Sequence, residues 1–379
     1  MSPRRIAFAL PGDITTPTGG YIYDNHLLQG LRAGGRDVEL ITLGSSYPNP
    51  TPEDAKDAAR KLAEVASDCP VIIDGLALGA LDPAAIAAMS APIVALIHHP
   101  LAYEGGLDPV HREHLLNTER ANLQRAAQVI VTSSHTAGLL RSDYGVPDKR
   151  ITIARPGVDQ VISSRDTISP PLILSVGIQV PRKGHDILLR ALSTIDHLPW
   201  QAVIAGSVVD EAYGKQLVRL VDDLGLGARV RLAGHVSGDE LAELYHQATV
   251  FALATRFEGY GMVFGEAMAH GLPIVTCRTG AVPTTVAPGA AFLVEPDNPV
   301  MFGEALHSVL QDDTLRLAMA KESAKAGALL DSWSTTVALV NSVIDRVGNV
   351  DQHIDQHIGH PGQIGHSEIG RSEIGHSDE

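Results

Sequence analysis

From Arg5 onward, short apolar runs alternate with longer stretches whose apolar residues recur at helical spacing. That alternation predicts parallel strands joined by crossover helices. In the first part, strands are expected at IAFAL, VELITL, VIIDG, IVALIH, QVIVTSS and RITIARPGVD. Helical periods fall between them at YIYDNHLLQGLRAGG, 52–66, 83–89, 115–127 and 136–144. The strands are apolar throughout and show little in/out alternation, as a sheet covered on both faces requires.

The register loosens through QVISSRDTISPP, whose turn formers suit a linker, and the pattern then restarts at LILSVG. Strands QAVIAG, VRLAG, VFALAT, PIVTC and AFLVE follow, with helices near 186–195, 213–224, 240–247, 261–270, 300–310 and 313–326. The expected organisation is therefore two doubly wound α/β domains, 1–160 and 168–331, with a hinge near Val158 to Pro170. A terminal helix over 332–347 is expected to pack back on the first domain. Residues 348–379, with the pentads IGHSE, IGRSE and IGHSD, read as a solvated low-complexity tail. His353, His357 and His360 there have helical ligand spacing, but a solvated role is the simpler reading.

The length of 379 residues agrees with two domains. A net charge of -15 disfavours a nucleic-acid partner and a strongly anionic membrane surface, because phosphate binding needs clustered Lys and Arg. Only two cysteines, Cys69 and Cys277, occur; this excludes a disulfide scaffold and suggests a reducing cytoplasm. The apolar run after Met1 is too short for the core of a secretion signal, and the uncharged stretch from Pro83 to Ile97 is too short to span a membrane.

Two such domains face each other across a cleft, and ligands in these sheets bind beyond the carboxyl ends of the strands. The richest strand-end segment is ATRFEGYGMVFGEAMAHGLPIV, which places Glu258 before a helix and Glu266 a turn and a half inside it. Gly259 and Gly261 admit a close ligand, and the free N–H groups of Gly261, Met262 and Val263 form an anion site suited to a diphosphate. In LSVGIQVPRKGHD, Gly177 permits a tight exit and Arg182 and Lys183 offer two adjacent cations to the same diphosphate. In the first domain, Gly19 and Gly20 are expected in a loop between the first strand and its helix, near the phosphates or sugar. His98 and His99 end the strand IVALIH, His98 being the stronger candidate.

Taken together, PTGG, LIHHP, PGVD, VGIQVPRKG and the E-x7-E segment EGYGMVFGE followed by AMAHGLPIV resemble, over about residues 4–347, the retaining glycosyltransferases of the GT4 family with the GT-B fold. The resemblance implies that Glu258 contacts donor-sugar hydroxyls, that Glu266 holds the nucleotide ribose, that Arg182 and Lys183 hold the diphosphate, and that His98 lies beside the donor sugar. Many members carry an acid in the glycine-rich turn where this chain has TGAVPTTV and Thr284. Glu119, Arg120, Ser134 and Glu295 are read as helix or loop surface.

The expected reaction moves a sugar, with its anomeric configuration kept, from a nucleotide-diphosphate sugar to an acceptor hydroxyl of a carbohydrate or lipid-linked molecule. The donor is a substrate, so no resident cofactor is expected. No Asp-x-Asp occurs in the cleft motifs and cations fill the metal's role, so no metal is expected. A nucleotide-sugar epimerase, a phosphorylase or a non-catalytic nucleotide-sugar binder would share the fold. A nicotinamide dehydrogenase is disfavoured because PGDITTPTGG lacks G-x-G-x-x-G. Weak peripheral association with a membrane is compatible with a lipid-linked acceptor, although no basic amphipathic helix supports it.

Overall fold

A computed structural model describes residues 5–160 and 166–354, the side chains of 349–354 excepted. The first lobe is built on strands β1 (Arg5–Pro11), β2 (Asp37–Leu43), β3 (Val71–Asp74), β4 (Ile93–Ile97), β5 (Gln128–Val131) and β6 (Ile151–Ile153). The second is built on β7 (Leu172–Val176), β8 (Gln201–Ala205), β9 (Val230–Gly234), β10 (Val250–Leu253), β11 (Ile274–Cys277) and β12 (Ala291–Val294). Helices cross over between strands, and both sheets are parallel, as the unbroken apolar runs required.

The strand orders differ in an instructive way. The first sheet runs β2-β1-β3-β4-β5-β6 and the second β12-β11-β10-β7-β8-β9. In such sheets a crevice opens where the order reverses, because flanking crossovers leave to opposite faces. The reversal falls between β1 and β3 in the first lobe and between β7 and β10 in the second. Both points carry the segments that the sequence marks as chemical.

Alternate residues of each strand feed two separate cores. In β1, Ala7 and Ala9 face one side, while Ile6, Phe8 and Leu10 face the other. The bulkier side receives the terminal helix Trp333–Ile354, whose Val340, Val343, Ile344 and Val347 are buried against it. Each such burial stabilises by roughly 1.5–3 kcal/mol. Arg36 bonds to Asn341 and pairs with Asp345 at 2.7 Å, fixing the helix lengthwise. The helix continues to Ile354, past the expected end at 347, so the first residues of the stretch read as tail are helical. Val350 and Ile354 carry the spacing of Val343 and Val347 onward, a signal that the polar residues between them obscure. Residues 355–379 lie outside the described residues, as does the part of the expected hinge at 161–165.

The chain crosses between the lobes twice, and the two crossings touch. Val158 N–H donates to the Asp331 carbonyl at 2.9 Å, and the Thr336 hydroxyl donates to the Arg155 carbonyl at 2.6 Å. Between them, Gly157 leaves no room: a Cβ there would lie 2.1 Å from the Trp333 backbone nitrogen. Among the described residues, no helix is long and apolar enough to cross a membrane.

Gly157→Ala must therefore push the terminal helix off its seat. The expected cost is about 1–3 kcal/mol or more, read as a drop of several degrees in the thermal midpoint. An unchanged midpoint would show that the crossings are not held together here.

Candidate active site

At the second lobe's reversal point, the loops after β7 and β10 are bonded to each other. The Arg182 carbonyl accepts from the Arg256 N–H at 2.8 Å and the Thr255 hydroxyl at 3.2 Å, and Arg182 Nη1 donates to the Phe257 carbonyl at 3.1 Å. Arg256 also grips Asp186 with both terminal nitrogens, at 3.0 and 2.9 Å, tying the loop to the helix His185–Thr194. The result is a closed turn in which Lys183 Nζ donates to Glu258 Oε1 at 2.7 Å, Thr255 donates to the same oxygen at 3.0 Å, and Arg182 Nη1 stands 3.8 Å from Oε2. Glu258 is only 4% exposed. Burial works against its charge, but Lys183, Arg182 and these hydrogen bonds outweigh it and hold the carboxyl below the ordinary range. Gly177 lies beside the Lys183 stem, where a Cβ would sit 3.3 Å from Cδ.

The first lobe presents a second cluster at its own reversal point. His98, just past β4, directs Nε2 at Asp24 Oδ1 (3.0 Å) and Asp74 Oδ2 (3.6 Å). Asp24 comes from the helix Gly19–Ala33 after β1, and Asp74 is the last residue of β3. Both carboxylates are 1% exposed. Burial and the neighbouring Asp24 raise the Asp74 carboxyl to about 7, against the opposing pull of His98. Burial disfavours charge on His98, yet the two carboxylates leave its pKa raised. The three ligand atoms lie within 4.8 Å of one another, and a protonated imidazole supplies the positive charge that two buried acids need. Gly19 and Gly20 are the first two residues of that helix, not loop residues as expected, because Thr18 already takes the extended conformation of an N-cap. Gly20 packs on the His98 ring, while a Cβ on Gly19 would meet open space.

The lobes meet at this point. The His98 carbonyl would stand 2.5 Å from a Cβ on Gly259, so only glycine allows the approach, and the Thr136 hydroxyl reaches the Gly259 carbonyl at 3.4 Å. Phe257 packs among His99, Tyr103 and His135 of the first lobe. Glu104 bonds to His99 through one oxygen and stands 3.5 Å from Arg182 Nε through the other. Asp24, Asp74 and Glu104 were not singled out from sequence; the strand-end position of Asp74 in VIIDG was the one available signal.

Glu266 lies elsewhere. It accepts from the Tyr245 hydroxyl at 2.7 Å and lines an inter-lobe cavity of about 730 Å³ together with Met262, Leu241, Val158, His26 and Trp333. Burial raises its carboxyl, with Tyr245 opposing. Arg182, Lys183 and Glu258 are not among the lining residues of that cavity, so the two glutamates do not share the single cavity expected. Between them starts the helix Met262–Ala269, whose N-cap Gly261 has φ +85 and which carries Val263 in its first turn. Among the described residues, the cavity is lined by four carboxylates, of Asp159, Asp239, Glu243 and Glu266, by three histidines, His26, His246 and His270, and by no Lys or Arg. The cleft is thus cationic beside Glu258 and acidic beyond Met262.

Glu119, read as surface, is fully buried with its carboxyl raised by burial to about 8. It accepts from the Leu101 N–H at 3.2 Å beneath the cleft loop. Its helix starts at Pro109, earlier than expected, because the polar first turn hides behind the Asp108 cap. Ser134, Glu295 and Thr284 are exposed, and Arg120 donates to the Asp143 carbonyl at 2.7 Å.

Residues 163–326 match the family described as glycosyl transferases group 1, and residues 23–160 match glycosyltransferase family 4. The chain is 30% identical over 239 residues to D-inositol 3-phosphate glycosyltransferase 1 of Catenulispora acidiphila, covering 58% of this chain and 57% of that protein. It is 26% identical over 337 residues to the MMP alpha-(1->4)-mannosyltransferase of Mycolicibacterium hassiacum, covering 81% and 79%. The matched stretch thus spans little more than half of the first relative. In fold it is similar to Anabaena Alr3699/HepE, solved in complex with UDP-glucose, with a TM-score of 0.69 and 17% identity over 90% of this chain and 99% of that one.

Glu104 sets a pH dependence. Burial opposes its charge, but His99 and Arg182 prevail and bring the carboxyl from 4.5 down to about 2. A depressed carboxylate stabilises above its unfolded value, so this contribution is present at neutral pH and is lost as pH falls from about 4.5 to about 2. Unfolding midpoints of wild type and Glu104→Gln should therefore differ above pH 5 and converge near pH 2. Parallel curves throughout would show that the contact contributes nothing.

Proposed function

We propose, for a chain that belongs to the family 4 glycosyltransferases, that it transfers a sugar from a nucleotide-diphosphate sugar to an acceptor hydroxyl with retention of anomeric configuration. The observation that carries this reading is the charge layout of the cleft. Arg182 and Lys183 stand at the reversal point beside Glu258, and the adjoining cavity offers, among the described residues, four carboxylates and no Lys or Arg. A nucleotide sugar has the matching layout: an anionic diphosphate flanked by two polyols.

Glu104 stands against Arg182, and an incoming diphosphate would take its place. Bond cleavage moves negative charge onto the departing diphosphate while the anomeric carbon becomes oxocarbenium-like. Arg182, Lys183 and the amino end of the helix Met262–Ala269 would stabilise that charge without reorganising. Glu258 would accept hydrogen bonds from the sugar and Glu266, inside the acidic cavity, from the ribose. Because protein cations already meet the diphosphate, we propose that turnover needs no divalent metal and no resident cofactor.

The UDP-glucose bound by HepE supports a nucleotide donor, and the inositol phosphate named for the Catenulispora protein supports a hydroxyl-rich acceptor. A carbohydrate or lipid-linked acceptor, with weak peripheral membrane association in the latter case, and a cytoplasmic location complete the proposal. The two free cysteines, both buried, agree with a reducing compartment.

A thermal-shift panel of UDP-, GDP- and ADP-sugars should identify one donor, which raises the midpoint by mass action; no shift with any of them would remove the donor reading. With that donor, Lys183→Ala should lower kcat by about 100-fold or more. It also strands the buried Glu258 charge, which can cost up to ~3–5 kcal/mol, so circular dichroism at the assay temperature must show a folded variant. Wild-type turnover would overturn the leaving-group argument. Activity should survive EDTA, and loss restored by magnesium would refute metal independence.

A further inference from the structure

The cluster at the first lobe's reversal point has no part in the leaving-group chemistry, yet it is more deeply buried than a surface ion pair and is drawn from three separate elements. Asp24 comes from the helix after β1, Asp74 from the end of β3 and His98 from the end of β4. Asp74 is fixed in turn by the Leu76 N–H, which donates to Oδ1 at 2.9 Å, so its other oxygen, Oδ2, is the one near the ring. Tyr23 braces the imidazole edge-on with ring centroids 5.2 Å apart, and Gly20 covers its Cδ2 side. Two buried carboxylates converge on one ring nitrogen, and the ring keeps 19% of its side-chain surface exposed.

This arrangement settles which nitrogen is available. Nε2 is committed to the acids, which leaves Nδ1 free of that clamp. A carboxylate on one imidazole nitrogen fixes tautomer and ring orientation and favours the charged form. We propose that Asp24 and Asp74 are positioning residues for sugar transfer, holding His98 by Nε2 so that Nδ1–H is presented to a hydroxyl of the donor sugar. The proposal rests on the glycosyl-transfer reading above. In it, the acids touch no substrate; they act through the histidine.

The charged and titratable groups facing His98 are Asp24 and Asp74, with Tyr23 edge-on to the ring, its hydroxyl bonded to the Ala154 carbonyl, and Tyr21 next to both acids, its hydroxyl bonded to the Pro11 carbonyl. Among the described residues the second lobe contributes the Gly259 backbone against the His98 carbonyl. Removing one acid should therefore lower the His98 pKa, and activity that needs the protonated ring should fall off at lower pH than in wild type.

The test has two arms. The first is imidazole NMR of the whole chain, assigned with His98→Gln, which needs no substrate: His98 should titrate above the ordinary histidine range in wild type and move down in Asp24→Asn and in Asp74→Asn. A wild-type His98 titrating at or below that range overturns the clamp, even where a variant does not fold. The second uses the donor found by thermal shift. Asp24→Asn should lower kcat tenfold or more with donor KM changed less than threefold, and the alkaline limb of the kcat profile should move to lower pH. Asp24→Asn added to His98→Gln should cost no more than His98→Gln alone. An unmoved alkaline limb, or fully additive losses, would mean that the acids are merely structural. Should no donor be turned over, the transferase reading fails while the NMR arm still decides whether the clamp exists.

Discussion

A carboxylate 4% exposed would be untenable in this protein without its neighbours, and Glu258 determines much of what surrounds it. Lys183 and Thr255 must come within hydrogen-bond reach of one oxygen, and Arg182 must stand near the other. Those requirements pull together the loops after β7 and β10, which parallel pairing already makes neighbours. Arg256 then has to be held down on Asp186, because its N–H is what closes the Arg182 turn. An ion pair this enclosed contributes little net stability, since desolvation offsets most of the attraction. Its consequence is geometric: two cations are held in a fixed place at the point where the sheet opens.

The alternation of apolar runs and helical periods disclosed each of the described strands, because a parallel sheet covered on both faces writes itself as largely uninterrupted Val, Ile, Leu and Ala. Helix limits were less legible where a polar turn precedes the apolar stripe, as at Pro109. Cation and acid motifs on one loop or helix were legible for the same reason that their chemistry is local. What escaped was pairing between distant segments. Asp24 sits among ordinary helix residues, and nothing in YIYDNH indicates that it meets a histidine 74 residues on. Glu104 and the buried Glu119 escaped likewise, since charge in a sequence reads as surface until topology encloses it. The two glutamates of E-x7-E were rightly placed along their helix but not in direction: eight residues turn the second toward Tyr245 and away from Lys183.

The two lobes use different wirings of the same architecture, one reversing between β1 and β3 and the other between β7 and β10. Their crevices nevertheless face each other, and each holds a buried acid next to a cation. In the second lobe that cation is lysine, whose pKa burial lowers against the pull of Glu258; in the first it is histidine, whose pKa the two carboxylates raise. The polar interior of the cleft is thus assembled from both lobes and is complete only when they are apposed.

That apposition is governed by the paired crossings at Gly157 and Trp333. Two lengths of chain that lie backbone to backbone act as the knuckles of a single door hinge: twisting or sliding one lobe over the other would shear the contact, whereas swinging about the line through it would not. Opening the lobes about that line would part Glu104 from Arg182, which stand 3.5 Å apart across the cleft.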